Sequence, residues 1–370
     1  MSEHGAPIAP ALLAWYDRHG RHDLPWKAGA DPYRIWLSEI MLQQTRVQTV
    51  LPYFERFVAA FPDVAALAAA DEDHVLGLWT GLGYYARARN LHRAAREIVD
   101  THAGRFPSDV EALAALPGIG RSTAGAVASM AYGVRAPILD GNVKRVLTRV
   151  AGMEGWPGER AIEKRLWALA ETWTPTERVA DYTQAIMDLG ATVCTPRRPA
   201  CDRCPLADRC VARAEGRAEV IPAARPKRTL PERETRMLLL QDPRGRVLLA
   251  RRPAPGIWGG LWCFPELDVA ADPIDAVATM LGLPAEGVPP LAAWGAVRHT
   301  FTHYRLTITP LHGVLSRVVD PVREEGPDWF APAETGHVGL AAPVKRLLTV
   351  LCGDDLASTG SARTTQEPRP

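Results

Sequence analysis

Between Pro32 and Lys227 apolar residues recur at the three-to-four-residue spacing of amphipathic helices, and short loops carrying Gly, Pro or Asp separate the runs. The pattern predicts a helix over 33–43, one that Asp71 caps and that ends near Trp79, and one over 85–101 whose Leu91, Ala94, Ala95 and Ile98 share a face. Another begins at Ser108 or Asp109 and ends at Leu116. From Val220 to Pro231 prolines and basic residues replace large apolar groups, as in a linker. Beyond it, 235–241 and 246–251 flank the turn Asp242-Pro243-Arg244-Gly245 and read as a β-hairpin, with further strand over 297–315. Helices are expected around 274–281 and 342–351, and the polar tail from Gly353 to Pro370 is expected to be disordered.

At 370 residues the chain is long enough for two domains, so one activity need not account for all of it. With 47% hydrophobic and 23% charged residues it is an ordinary globular composition, which excludes collagen-like repeats and a disulfide miniprotein. A formal charge of +1 neither requires nor excludes a nucleic-acid partner, so charge has to be read locally. The first residues hold no apolar run of signal-peptide length, and nowhere do about 18 apolar residues follow one another, so a cytoplasmic protein is expected.

Two local patterns carry chemistry. Leu116-Pro117-Gly118-Ile119-Gly120 lies between two helical patterns and reads as a helix-hairpin-helix. Its glycines permit a tight turn that leaves backbone amides exposed at a helix N-terminus, where they and the helix dipole suit a phosphate. Such contacts hold a nucleic-acid backbone and carry no sequence information. The second pattern is Cys194-x6-Cys201-x2-Cys204-x5-Cys210, four of the six cysteines, in a stretch that Pro196, Pro199 and Pro205 mark as loop. Thiolates so spaced can close on a tetrahedral zinc or on an iron–sulfur cluster, and the spacing leaves both open. Cys263 and Cys352 stand apart and read as structural. From Cys194 to Leu230 nine Lys and Arg face four Asp and Glu, a local excess that suits a nucleic-acid backbone.

Two carboxyls also stand out. Asp140 precedes Gly-Asn-Val-Lys-Arg-Val and is a good helix N-cap. Glu39 lies among Trp36, Leu37, Ile40 and Met41, where a carboxylate is costly unless exposed, paired or functional.

The hairpin at 116–120, followed about twenty residues on by Asp140-Gly141-Asn142-Val143-Lys144-Arg145-Val146 and then by the cysteine loop, resembles the endonuclease III superfamily of helix-hairpin-helix base-excision DNA glycosylases. Trp36-Leu37-Ser38-Glu39-Ile40-Met41-Leu42-Gln43-Gln44-Thr45 and Gly81-Leu82-Gly83-Tyr84-Tyr85-Ala86-Arg87 narrow the resemblance to the MutY-type adenine DNA glycosylases, over roughly residues 8–350. It implies a mainly α glycosylase domain at 8–215 with the helix-hairpin-helix at 109–131 and the iron–sulfur loop at 194–210. A linker at 216–231, an α+β Nudix-like domain at 232–352 and a disordered tail at 353–370 complete the expected organisation. Cys194, Cys201, Cys204 and Cys210 would hold a [4Fe-4S] cluster. The implied substrate is adenine mispaired with 8-oxoguanine or guanine in double-stranded DNA, and a monomer bound to the nucleoid is expected.

Under this resemblance Glu39, its pKa raised by apolar surroundings, is the general acid toward adenine N7. Asp140 stays ionised at its helix N-terminus as electrostatic stabiliser or transient nucleophile, and Asn142 positions the acidic pair. Ser122 stands where bifunctional relatives carry a Schiff-base lysine, which implies a monofunctional enzyme, and Lys144 is expected to contact the DNA backbone. Gln44 and Tyr84 match intercalating positions that accompany base flipping, with Thr45 beside them on the DNA. Lys27 and Trp26 are placed near the flipped base, Leu116, Gly118 and Gly120 at the DNA backbone, and Phe301-Thr302-His303 at the 8-oxoguanine, with Thr where the family has Ser. From Phe264-Pro265-Glu266 to Leu281 there is no pair of glutamates to hold magnesium, so nucleotide hydrolysis by the second domain is not expected. The competing readings are an endonuclease III-like lyase and a non-catalytic damage-binding protein.

Overall fold

The computed structural model describes residues 7–226, 229–253, 256–321 and 326–352, so the expected tail at 353–370 lies outside the described residues. The helices run in chain order as α1 (Ala9–His19), α2 (Pro32–Leu42), α3 (Val47–Ala60), α4 (Val64–Ala69), α5 (Glu72–Trp79), α6 (Ala86–His102) and α7 (Val110–Ala115). After them come α8 (Arg121–Tyr132), α9 (Gly141–Val150), α10 (Arg160–Trp173), α11 (Val179–Thr192) and the short α12 (Val211–Ala214). Local capping explains several starts: Asp63, Asp109 and Asp140 each accept from the amide three residues on, at 2.8, 2.8 and 2.7 Å. Asp71 occupies the expected cap position of α5 but makes no side-chain cap bond. Helix α1 falls in a stretch the periodicity had left without an element; it is built on Leu12, Trp15 and Tyr16, all buried.

The chain divides into two compact units, one of 1–70 with 89–227 and one of 71–88 with 228–370. Segment 71–88, expected within the helical domain, thus groups with the C-terminal residues. There Trp262 Nε1 donates to Asp73 at 3.3 Å and the Tyr85 hydroxyl to the Leu340 carbonyl at 2.7 Å.

In the helical unit, α1, α9, α10 and α11 share a core that includes Leu12, Val146, Leu147, Leu166, Ile186 and Leu189. Helix α2 packs against α3 and α8 and buries Tyr33, Ile35, Trp36, Leu37, Ile40 and Met41, nearly its whole circumference. Helices α9 and α11 approach so closely that a Cβ on Gly190 would come within 2.5 Å of the Asn142 Cβ, so only glycine permits this contact. No helix among the described residues is long and apolar enough to cross a membrane.

The second unit carries a mixed sheet of β1 (Glu232–Gln241), β2 (Val247–Arg251), β3 (Trp262–Cys263), β4 (Glu266–Leu267), β5 (Ala292–Ala293), β6 (Val297–Thr300), β7 (Arg305–Val314) and β8 (Asp328–Phe330). Its main path is β3-β2-β1-β7-β5, with β4 on β1, β6 on β7 and β8 on β2. Strands β1 and β2 form the expected hairpin, and Asp242 fixes its turn by accepting from the amides of Arg244 and Arg246, both at 2.9 Å. Strands β1 and β7 pair in parallel from Glu232↔Arg305 to Gln241↔Val314, and the central Met237-Leu238-Leu239-Leu240 is buried on both faces. Helix α13 (Pro273–Leu281) covers one face through Val277 and Leu281, and α14 (Ala342–Leu351) is the last helix among the described residues. The strand expected over 297–315 is present as an antiparallel hairpin, β6 and β7, with its turn at 301–304.

Candidate active site

Glu39 is the one carboxyl on the buried helix α2, and it opens into a cavity of about 740 Å³ in the helical unit. Ser122, Asp140, Asn142, Arg145 and Gln184 line the same cavity, as do Trp26 and Thr45 at its wall. Burial and, after it, the nearby Asp140 charge push the Glu39 carboxyl up to about 8, and no described residue hydrogen-bonds it.

Asp140 shares the cavity under different terms. Burial raises its pKa, while the Val143 amide at 2.7 Å, the Asn142 amide group at 3.3 Å and the Arg145 charge pull the other way. Asp140 holds the helix-cap position expected of it, and desolvation outweighs the cap in the direction of its pKa. The two groups still divide the roles. The hydrogen bonds made to the pair by described residues, from the Val143 amide and the Asn142 side chain, fall on Asp140, which favours the anion there and the proton on Glu39.

Two supports hold Asp140 in place. Ser122 Oγ, in the first turn of α8, accepts from the Leu139 amide at 2.9 Å and pins the residue before the cap. Asn142 Oδ1 accepts from Arg145 Nη2 at 2.9 Å, and the same guanidinium donates to the carbonyls of Gly190 and Cys194, both at 2.7 Å. A continuous polar chain therefore runs from the cysteine loop to the capping carboxylate. Arg145, Gln184 and Arg21, which also lines the cavity, were not singled out from the sequence. Arg21 is locked to the buried Asp188 at 2.6 Å, and Gln184 donates to the same carboxylate at 2.8 Å. The only available signal was the apolar helix on which Gln184 and Asp188 sit.

Other expected site residues lie elsewhere. Lys27 does not line the cavity; its amine is held by the Tyr16 hydroxyl and the Arg21 carbonyl, and burial lowers its pKa. Lys144, expected at a DNA backbone, is ion-paired to Glu163 at 2.5 Å. Gln44 and Tyr84 are exposed and have left-handed backbones, φ 59 and 51, an unusual conformation for residues other than glycine. In the helix-hairpin-helix Gly118 has φ 76, Gly120 is exposed as the N-cap of α8, and the Leu116 carbonyl accepts from Ile119 at 3.1 Å. The Leu116 side chain is buried, so it anchors the turn and does not reach solvent. In the second unit Thr302 and His303 are exposed at the tip between β6 and β7, and the Phe301 amide donates to the Tyr304 carbonyl at 2.9 Å.

Cys194, Cys201, Cys204 and Cys210 bound one cavity. Burial pushes the Cys204 thiol up to about 11, so the thiolates need a positive partner. Arg149 is almost wholly buried, and its guanidinium donates to the Cys194 sulfur at 3.3 Å and to the carbonyls of Thr195 at 2.7 Å, Pro196 at 3.2 Å and Ile221 at 2.7 Å. No carboxylate among the described residues pairs with it. A buried cation whose only candidate anion is a thiolate fits an anionic cluster in this loop.

The family model for HhH-GPD superfamily base excision DNA repair proteins matches residues 37–172. That for the iron-sulfur binding domain of endonuclease III matches 194–210, and a NUDIX domain model matches 236–350. The adenine DNA glycosylase of Buchnera aphidicola subsp. Acyrthosiphon pisum is 36% identical over 91% of this chain and 95% of its own length. The human adenine DNA glycosylase is 32% identical over 97% of this chain and 77% of its own. The structure of a thermostable thymine-DNA glycosylase is 28% identical, with a TM-score of 0.49, and covers 56% of this chain and 95% of that one.

Proposed function

Because this chain belongs to the adenine DNA glycosylase family, a DNA N-glycosylase of base excision repair with a [4Fe-4S] cluster, we propose that it removes adenine mispaired with 8-oxoguanine or guanine and leaves the strand uncut. The observation that carries this reading is the pairing of Glu39 and Asp140 in one cavity, with the pair's hydrogen bonds from described residues made to Asp140.

Once the adenine is flipped into the cavity, Glu39 passes its proton to N7 and the base leaves with the electron pair of the glycosidic bond. Asp140 faces the cationic sugar and stabilises it; Asn142 and the Val143 amide keep that carboxylate aimed. Water adds at the sugar carbon, and its proton passes to a carboxylate. Gln184 and Trp26 wall the base site, and Gln44 and Tyr84 fill the stack. Cys194, Cys201, Cys204 and Cys210 are the ligands of the cluster, which when bound binds the loop's thiolates together and supplies the anion that Arg149 lacks. The turn at 116–120 and the basic loop grip the DNA backbone, and the tip at 301–303 reads the base opposite the adenine. The protein acts as a monomer on the nucleoid.

A lyase needs an amine beside the sugar. Ser122 offers a hydroxyl that already accepts from Leu139, and the Lys144 amine is engaged by Glu163. The test is a single-turnover assay on duplex DNA carrying adenine opposite 8-oxoguanine, with half of each sample developed in hot alkali. Wild type should release adenine and give breaks only after alkali. Glu39→Gln should bind the duplex and lose about 10²- to 10⁴-fold in rate. Breaks without alkali would sink the monofunctional reading, and base release by Glu39→Gln would sink the role of the acid.

A further inference from the structure

We propose that Trp258 is the positioning residue that holds the opposite-base tip, Phe301-Thr302-His303, in its reading geometry. The inference rests on the reading above that this tip recognises 8-oxoguanine.

Strands β6 and β7 stay paired up to Thr300↔Arg305, which leaves a turn closed by the bond between Phe301 and Tyr304. Nothing in that turn has the Asn-Gly or Gly chemistry that makes a two-residue hairpin loop rigid by itself. Its definition has to come from what lies beneath. Trp258 lies against both residues at the base of the tip: ring centroids are 5.1 Å to Phe301 and 5.5 Å to His299. His299 and Phe301 meet edge to face at 4.5 Å, and Phe301 stacks on Tyr304 at 4.6 Å. These separations lie in the range in which aromatic rings attract through their quadrupoles. Burial and the Arg346 charge hold His299 below its usual pKa, so it packs as a neutral ring.

Trp258 is itself fixed from behind. The Arg252 guanidinium stands 5.8 Å from the indole, donates to the Ile257 carbonyl at 3.0 Å and is ion-paired to Glu266. The Trp258 carbonyl accepts from Leu261 at 2.9 Å. Its backbone has φ 56, in a segment where Gly256, Gly259 and Gly260 stand close by and would take that conformation without strain. A tryptophan that only filled core could do so from ordinary backbone. Here a strained, buried indole meets the two rings that flank an exposed polar tip. Phe301 is half-buried, and without the indole its ring and the turn above it lose their floor.

The test uses the full chain with Trp258→Leu and Trp258→Phe, and duplexes in which a non-cleavable 2′-fluoro adenosine faces 8-oxoguanine or guanine. The readout is the ratio of the two dissociation constants, with thermal melting recorded for each protein. Trp258→Leu should lower the preference for 8-oxoguanine at least tenfold, carried by weaker binding of that duplex; Trp258→Phe, which keeps a ring, should lower it two- to threefold. Equal loss on both duplexes, or an unchanged ratio, overturns the proposal. Should Trp258→Leu fail to melt cooperatively, Trp258→Phe decides by the same ratio. A wild type that binds both duplexes equally overturns the reading role of the tip, and the inference with it. A wild type with a preference that Trp258→Leu keeps overturns the inference alone.

Discussion

Glu39 and Asp140 are sunk in a cavity walled by packed helices, whereas Thr302 and His303 stand exposed on a hairpin whose rigidity comes from rings below. The contrast follows from the two tasks proposed for them. A general acid must keep a proton at neutral pH, and removal from water, with a second carboxylate nearby, lifts the Glu39 carboxyl that far. The neighbouring carboxylate must stay charged in the same low-dielectric space, so a helix cap, an asparagine and an arginine are gathered on it. A reading tip needs polar atoms that a base can reach, so its support has to be apolar and to come from one side. The helical unit thus spends solvation to shift chemistry, and the second unit keeps solvation and fixes shape.

Four changes would break or sharpen that comparison. The largest effect is expected from Asp140→Asn, since asparagine caps a helix as well as aspartate but carries no charge. The single-turnover rate should fall about 10²- to 10³-fold with little change in melting temperature. A rate near wild type would show that the anion facing the sugar is unnecessary.

Asn142→Leu removes the link between Arg145 and Asp140. A hydrogen bond to a charged group contributes roughly 1.5–3 kcal/mol, so the rate should drop about ten- to a hundredfold. Iron content measured on the same samples separates this from loss of the cluster. The pH profile comes next. The acid form of Glu39 is the active one and its pKa lies at about 8. The single-turnover rate should therefore decline about tenfold per pH unit above that value, and fall again at acid pH where Asp140, itself raised by burial, gains a proton. A profile flat to pH 10 would place the proton elsewhere. The smallest effect belongs to the exposed site: Thr302→Ala forfeits one solvent-accessible hydrogen bond of about 0.5–1.5 kcal/mol. The ratio of A:8-oxoguanine to A:G affinity should fall about two- to tenfold in fluorescence titrations.

Much of the helical unit was legible because its signals are local. A cap aspartate followed by apolar residues at helical spacing marks α7 and α9, and the glycines at 118 and 120 mark the turn before α8. Helix α1 escaped notice because the apolar residues of so short an N-terminal stretch make a weak periodic signal. The hairpin at 301–304 escaped because its turn holds none of the residues that announce one. The supporting arginines were invisible for another reason: Arg145 and Arg149 look like the solvent face of a helix, and nothing nearby in the chain shows that carbonyls of 190, 194, 195, 196 and 221 will surround them.

By itself the sequence determined what each local stretch can do: where helices start, where four thiols can gather, which stretch lacks the glutamates for magnesium, and that position 122 carries a hydroxyl and not an amine. Only the tertiary structure decided which groups share a cavity and at what cost in solvation. It lifted Asp140 despite its cap, sent Lys27 to Tyr16 and Arg21 instead of the cavity, and drew segment 71–88 to the C-terminal unit. Caps, turns and metal-ligand spacings depend on neighbours a few residues away. Desolvation and proximity depend on surfaces that meet only when distant segments pack, and a pKa or a buried ion pair takes its value from that meeting.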